Sequence, residues 1–133
     1  MLYAILCYHD EAVVGAWSRD QDEAVMTRLN VVHGKLASSG KLGPVARLLP
    51  TTAATTLRKN SDPALVLDGP FAETKEQLLG FYVGEADDLD GVLAIARELG
   101  QANPGGAYEI RPIGLYMAGG PVSAPDGNPG HGT

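Results

Sequence analysis

A single cysteine, Cys7, stands among 133 residues, so an intrachain disulfide is impossible and no secretory cysteine framework is present. Its place inside the apolar run 2–8 suits a small buried hydrophobe rather than a reactive thiol. Basic residues are scarce: 10 Lys and Arg against 16 Asp and Glu give a net charge of −6. They are also scattered, with only Arg58-Lys59 adjacent, which argues against direct nucleic-acid binding. No apolar run approaches the roughly 18 residues of a membrane-spanning helix, so no membrane association is expected. The N-terminus lacks a basic leader, so no signal peptide is expected and a cytoplasmic location is. Gly105-Gly106 and Gly119-Gly120 lack the lysine of a phosphate loop, and no Gly-x-Ser-x-Gly elbow occurs. His9-Asp10-Glu11 is one histidine with two acids, a poor zinc signature, and His131 lies in the tail. No metal or cofactor is expected, and nucleophilic catalysis is not indicated.

What is present is an apolar fraction of 44%, enough for one core. Residues 1–118 read as a single α+β domain, and 119–133 as a tail dominated by Gly, Pro, Ser, Asp and Asn. Were that tail ordered, it is expected to lie on a partner subunit or in a groove. Leu2–Tyr8 reads as a central strand covered on both faces. Ser18 and Gln21 form a capping-box pattern, and Val25, Leu29, Val32 and Leu36 then mark a helical face that Gly40 ends. His33 falls on the border of that stripe. Leu42–Leu49 predicts a strand and Thr55–Leu67 a hairpin. A second helix is expected to be capped by Asp87, striped by Leu89, Val92, Leu93, Ala96 and Leu99, and stopped by Gly100. Ala107–Tyr116 is the last strand, with an edge or bulge at Pro112.

One stretch organises the rest: Asp68-Gly-Pro-Phe-Ala-Glu-Thr-Lys-Glu-Gln-Leu-Leu-Gly-Phe-Tyr-Val-Gly-Glu85. Asp68-Gly69-Pro70 is turn chemistry, in which Asp bonds its own backbone, Gly admits positive φ and Pro fixes φ. Glu73, Lys75 and Glu76 follow as a charged cluster. Leu79, Phe81 and Val83 then alternate with Gly80, Tyr82 and Gly84, the pattern of a strand with one buried face.

The resulting order is β-α-β-β-β-α-β or close to it. It predicts a ferredoxin-like antiparallel sheet with two helices on one face. The other face needs cover, for which Tyr3, Phe81 and Tyr82 are available, and a second copy of the same sheet is the simplest source. A homodimer is therefore expected.

The segment from Asp68 to Tyr82 resembles the signature of the YCII-related family, in its DGPF-domain branch. Looser similarity runs from the Leu2–Tyr8 strand to Glu109-Ile110-Arg111-Pro112-Ile113. The resemblance implies a ferredoxin-like fold paired into a dimeric α+β barrel-like assembly, and an active site built on a His and an Asp. Here these correspond to His33 and Asp68, although His33 lies in the second half of its helix, whereas many YCII proteins carry the proposed His near the start.

An imidazole titrating near neutrality beside a carboxylate is suited to moving a proton next to a carbonyl. The plainer readings stand beside this one: His33 as a border histidine on a backbone group, and Asp68 as the cap of its own turn. Glu73, Lys75, Glu76, Tyr82 and Arg47 are candidate ligand-binding residues, with Arg47 able to meet a carboxylate in bidentate geometry. Two functions follow. One is a cofactor-independent enzyme acting on a small organic ligand through His33 and Asp68. The other is a non-catalytic ligand-binding or regulatory dimer, since the resemblance extends to accessory proteins associated with sigma factors. A plain dimeric scaffold, with the signature serving as a folding turn, is the third.

Overall fold

The computed structural model describes residues 1–122. The expectations for the tail, including His131, fall largely on residues 123–133, outside the described residues. Four strands form one antiparallel sheet: β1 (Leu2–Asp10), β2 (Leu42–Arg47), β5 (Glu76–Glu85) and β6 (Ala107–Pro112), in the order β2-β5-β1-β6. Two further strands, β3 (Thr55–Arg58) and β4 (Leu65–Asp68), pair only with each other. The helices are α1 (Glu11–Gly15), α2 (Arg19–Ser38) and α3 (Leu89–Ala102). The expected α+β fold is present, with α2 and α3 together on one face of the sheet.

Local chemistry accounts for the helix ends. The Ser18 hydroxyl accepts from the Gln21 amide at 3.1 Å and the Gln21 side chain accepts from the Ser18 amide at 2.8 Å. This reciprocal pair satisfies two of the donors that a helix start leaves free. Gly40, at φ 74°, supplies the left-handed turn beyond α2. The second long helix departs from expectation at both ends. Asp88 rather than Asp87 is its cap, and the helix runs through Gly100 to Ala102. Its buried face is Val92, Ile95, Ala96, Leu99 and Ala102, while Leu89 is exposed. A glycine ends a helix only where the chain turns left-handed, and the positive φ comes later, at Gly105 and Gly106.

The core lies between this helical layer and the sheet face carrying Tyr3, Ile5 and Tyr82. Ile5, Leu36, Val92 and Leu99 are almost completely enclosed. Each such side chain contributes about 1.5–3 kcal/mol through burial. One expectation is corrected here. The face of β5 that meets the helices is Gly80, Tyr82 and Gly84, so Tyr82 and Tyr3 belong to the core and not to the opposite face. A Cβ on Gly80 would sit 2.5 Å from the Ala46 carbonyl oxygen, so the glycine permits a close strand approach. Within one chain β1 is central, and its helix-facing side is covered. Ala4, Leu6 and Tyr8 on its other side remain half-exposed, as do Phe81 and Val83 on β5.

His33 is also deeper than the border position expected for it. It retains only 8% of its surface and takes a place in the buried stripe Val25, Leu29, His33, Leu36. The outer hairpin of β3 and β4 is the opposite case. Leu57, Leu65, Val66 and Leu67 are all exposed, and Phe71, just beyond it, lies under the Arg58 guanidinium at 4.9 Å.

Candidate functional site

At the carboxyl end of β1 the sheet and helices part to form a cavity of about 110 Å³. Helix α1 brings Val14 and the turn after it Trp17, and the first turns of α2 bring Asp22, Val25, Met26 and Leu29. The end of β2 contributes Val45 and Arg47, and β5 contributes Gly80 and Tyr82. Cys7, His9, Asn103, Gly105 and Tyr108 also line the wall. A register shift between Cys7 and Tyr8 lets Leu79 bulge out of the β1–β5 ladder beside the cavity. Bulges of this kind re-aim side chains at sheet ends. The volume is below the roughly 300–1,000 Å³ of drug-sized sites, so the cavity suits a small metabolite and not a nucleotide.

Polar groups in and behind this wall carry the chemistry. The Tyr82 hydroxyl lies 3.3 Å from His33 Nε2, with the rings edge to face at 5.4 Å. Burial holds the His33 imidazole below its ordinary range, favouring the neutral ring. Burial, and then the neighbouring Tyr108 and Cys7, push the Tyr82 hydroxyl well above the usual tyrosine range. Tyr108 is raised by burial and by Cys7, and burial pushes the Cys7 thiol up to about 12. All three groups are therefore protonated at neutral pH. The His9 ring packs edge-on to Trp17 at 6.3 Å and lies tightly against Gly105, where a Cβ would come within 2.7 Å of Nε2. Four buried polar atoms find no partner among the described residues: His9 Nδ1, His33 Nδ1, Asn103 Oδ1 and the Tyr108 hydroxyl. Three of them belong to side chains of the cavity wall, and each unpaired buried group of this kind costs about 1–3 kcal/mol.

Of the residues singled out in the sequence, Tyr82 and Arg47 line the cavity. Arg47 is engaged, its guanidinium donating to the Asp22 carboxylate at 3.2 Å and to the Met26 sulfur at 3.7 Å. His33 stands behind Tyr82 rather than in the wall. Asp68 is exposed at the end of β4, opposite Thr55. Its turn is held by the Gly69 amide donating to the Ala54 carbonyl at 2.8 Å and the Thr56 hydroxyl donating to the Gly69 carbonyl at 2.8 Å. Glu73, Lys75 and Glu76 are exposed on the approach to β5. The hydrogen bond found for His33 therefore goes to Tyr82, and Asp68 is part of a different element.

That element is nonetheless tied to the cavity's end. Residues 48–75 leave the sheet after Arg47 and return to it at Glu76. The Leu48 amide donates to the Leu79 carbonyl at 2.9 Å, and the Glu11 carboxylate accepts from both the Thr51 amide and its hydroxyl. Sequence reasoning set His9 aside as part of a poor zinc signature and did not single out Asn103 or Tyr108 for the site. The available signal was the Gly105-Gly106 pair, whose positive φ values, 94° and 75°, mark a place where the backbone passes close to another group.

The model of the YCII-related domain matches residues 1–117, nearly the whole described chain. The chain belongs to the YCII-related family. An uncharacterized protein from Rhizobium meliloti (strain 1021) is 58% identical over 120 residues, which cover 90% of this chain and 97% of the relative. Among the described residues of this YCII-related protein, no helix is long and apolar enough to cross a membrane. No group of three or more metal-ligating side chains comes together among them either.

Proposed function

We propose that this YCII-related protein binds a small organic molecule in the cavity at the carboxyl end of β1 and moves a proton on it without a cofactor. The observation that carries this reading is the His33–Tyr82 pair. Tyr82 meets the cavity on one side and a buried imidazole on the other, at 3.3 Å. If His33 Nε2 carries the proton and donates to the Tyr82 oxygen, the phenolic hydrogen is free to polarise a ligand carbonyl. If the tautomer is reversed, the Tyr82 oxygen faces the ligand as an acceptor. Either arrangement suits general acid–base work. His33 thus enters through Tyr82. Asp68 enters as the outer carboxylate of the segment that leaves and rejoins the sheet beside the cavity, with Glu73, Lys75 and Glu76 on the same approach. Arg47 stands at the mouth.

The reading extends to assembly. The strand order and the two helices on one face support the ferredoxin-like plan. The half-exposed apolar face of Ala4, Leu6, Phe81 and Val83 supports pairing with a second copy into a dimeric α+β barrel. The Asp-Gly-Pro-Phe signature supports the DGPF branch. A second reading is a ligand-binding accessory dimer without catalysis. The exposed Leu57, Leu65, Val66 and Phe71 of the outer segment favour it, because apolar side chains there suit a protein partner.

A small-metabolite screen by thermal shift tests the site, repeated with Tyr82→Phe, His33→Gln and Asp68→Asn. A stabilising ligand whose effect is lost in the first two variants and kept in the third assigns the working pair to His33 and Tyr82. Loss in Asp68→Asn brings Asp68 into the site. Retention in all three places the ligand elsewhere and ends the proposal. Turnover of the ligand separates the enzyme from the accessory reading.

A further inference from the structure

Granting that the cavity is a ligand site, its wall also specifies the charge of what enters. We propose that it takes an uncharged molecule, an apolar body bearing one hydroxyl, carbonyl or amide group, and excludes the corresponding anions and cations. The carboxylate and guanidinium in the wall are Asp22 and Arg47, and they pair with each other at 3.2 Å, so each already faces an opposite charge. The remaining polar members are His9, whose ring packs edge-on to Trp17 and tightly against Gly105, and Tyr82, Tyr108, Asn103 and Cys7, with Tyr8 beside them. Burial keeps the Tyr82 and Tyr108 phenols and the thiol protonated, and an amide carries no charge. Most of the wall is aliphatic or aromatic, as Val14, Trp17, Val25 and Leu29 illustrate. An ion entering such a space would lose its hydration without gaining an opposite charge, which disfavours it strongly. The Tyr108 hydroxyl and the Asn103 amide oxygen lack protein partners, one able to donate and the other an acceptor. Hydroxyl and primary amide groups both donate and accept, so they complement this pair better than a carboxylate, which only accepts.

Two isosteric sets test the inference at about pH 8, above the ordinary imidazole range. One is benzamide, benzoate and benzamidine. The other, with a smaller body, is isobutyramide, isobutyrate and isobutyramidine. Trp17 is the sole tryptophan and lines the cavity, so its fluorescence reports occupancy, with ligand-detected NMR as a second readout. The neutral amide of at least one set is expected to bind at least about tenfold more tightly than its two ions. Val25→Phe, which fills the cavity, is expected to abolish that binding. Should Val25→Phe fail to fold by circular dichroism, Met26→Phe, at a half-buried wall position, carries the same test. Asp22→Asn, which frees Arg47, is expected to admit the carboxylate.

Carboxylate or amidine binding as tight as amide binding in the unaltered protein overturns the neutral-ligand inference and leaves the site standing. Amide binding that survives the filled cavity overturns both. So does the failure of all six compounds to bind. If Asp22→Asn still excludes the carboxylates, the Asp22–Arg47 pair does not set the preference and the inference falls.

Discussion

His33 and Tyr82, 49 positions apart in the chain, meet across the core with imidazole Nε2 at 3.3 Å from the phenol oxygen and the ring planes inclined at 62°. The contact joins the second half of α2 to β5. It also gives a buried polar pair in which each member depends on the other.

Removing the phenol oxygen should therefore cost more than one hydrogen bond. Tyr82→Phe leaves both ring nitrogens of His33 without a protein partner, since Nδ1 has none among the described residues. The expected loss is about 1–3 kcal/mol. Urea denaturation of the variant measures it. In His33→Leu both demands disappear together, so the double variant His33→Leu/Tyr82→Phe should lose less than the sum of the two single changes.

The same pair makes stability depend on pH. Burial lowers the folded-state pKa of His33 below the ordinary 6.5. In the window between the two values the unfolded chain binds more protons than the folded one, so stability rises with pH. His33 imposes no penalty well above 6.5. The penalty grows as pH falls through 6.5 and levels off below the folded-state value. Melting temperatures recorded between about pH 5 and pH 8 should show a steeper acid-side decline in the unaltered protein than in His33→Leu. Equal slopes would show that His33 is not the responsible group.

Gly80 tests how tightly the cavity's floor is built. Its Cβ would meet the Ala46 carbonyl oxygen at 2.5 Å and Arg47 Cα at 3.4 Å, both backbone atoms of the paired strand. Gly80→Ala must push β2 away from β5. We expect a loss of about 1–3 kcal/mol in chemical denaturation. Gly34→Ala is the control, because its Cβ would meet no atom within 4 Å. That helix-interior change should be neutral or stabilising by up to about 1 kcal/mol.

The uncovered sheet face predicts the state of association. Leu6 pairs with Phe81 in the β1–β5 ladder, on the side away from the helices. Light scattering after size exclusion should give twice the 13.9 kDa mass of one chain. Leu6→Lys should shift the protein toward the monomer, because a charge buried in an isologous interface meets its own copy. A monomeric unaltered protein would rule the assembly out.

The sequence by itself determined the α+β class, the two long helices and the Ser18–Gln21 cap. Helical stripes, capping boxes and turn residues act over a few neighbours in the chain and are read from them directly. It also singled out Tyr82 and Arg47, which prove to share one cavity. Only the tertiary structure decided which face of β5 is covered. Leu79, Phe81 and Val83 are the more apolar set, yet Gly80, Tyr82 and Gly84 lie under the helices. Tertiary structure also gave His33 its partner. Tyr82 reaches the imidazole because α2 packs on the sheet beside β5, and Asp68 lies apart because the chain between Leu48 and Lys75 forms a pair of strands of its own. Contacts across such distances depend on how layers stack, and no local pattern encodes that.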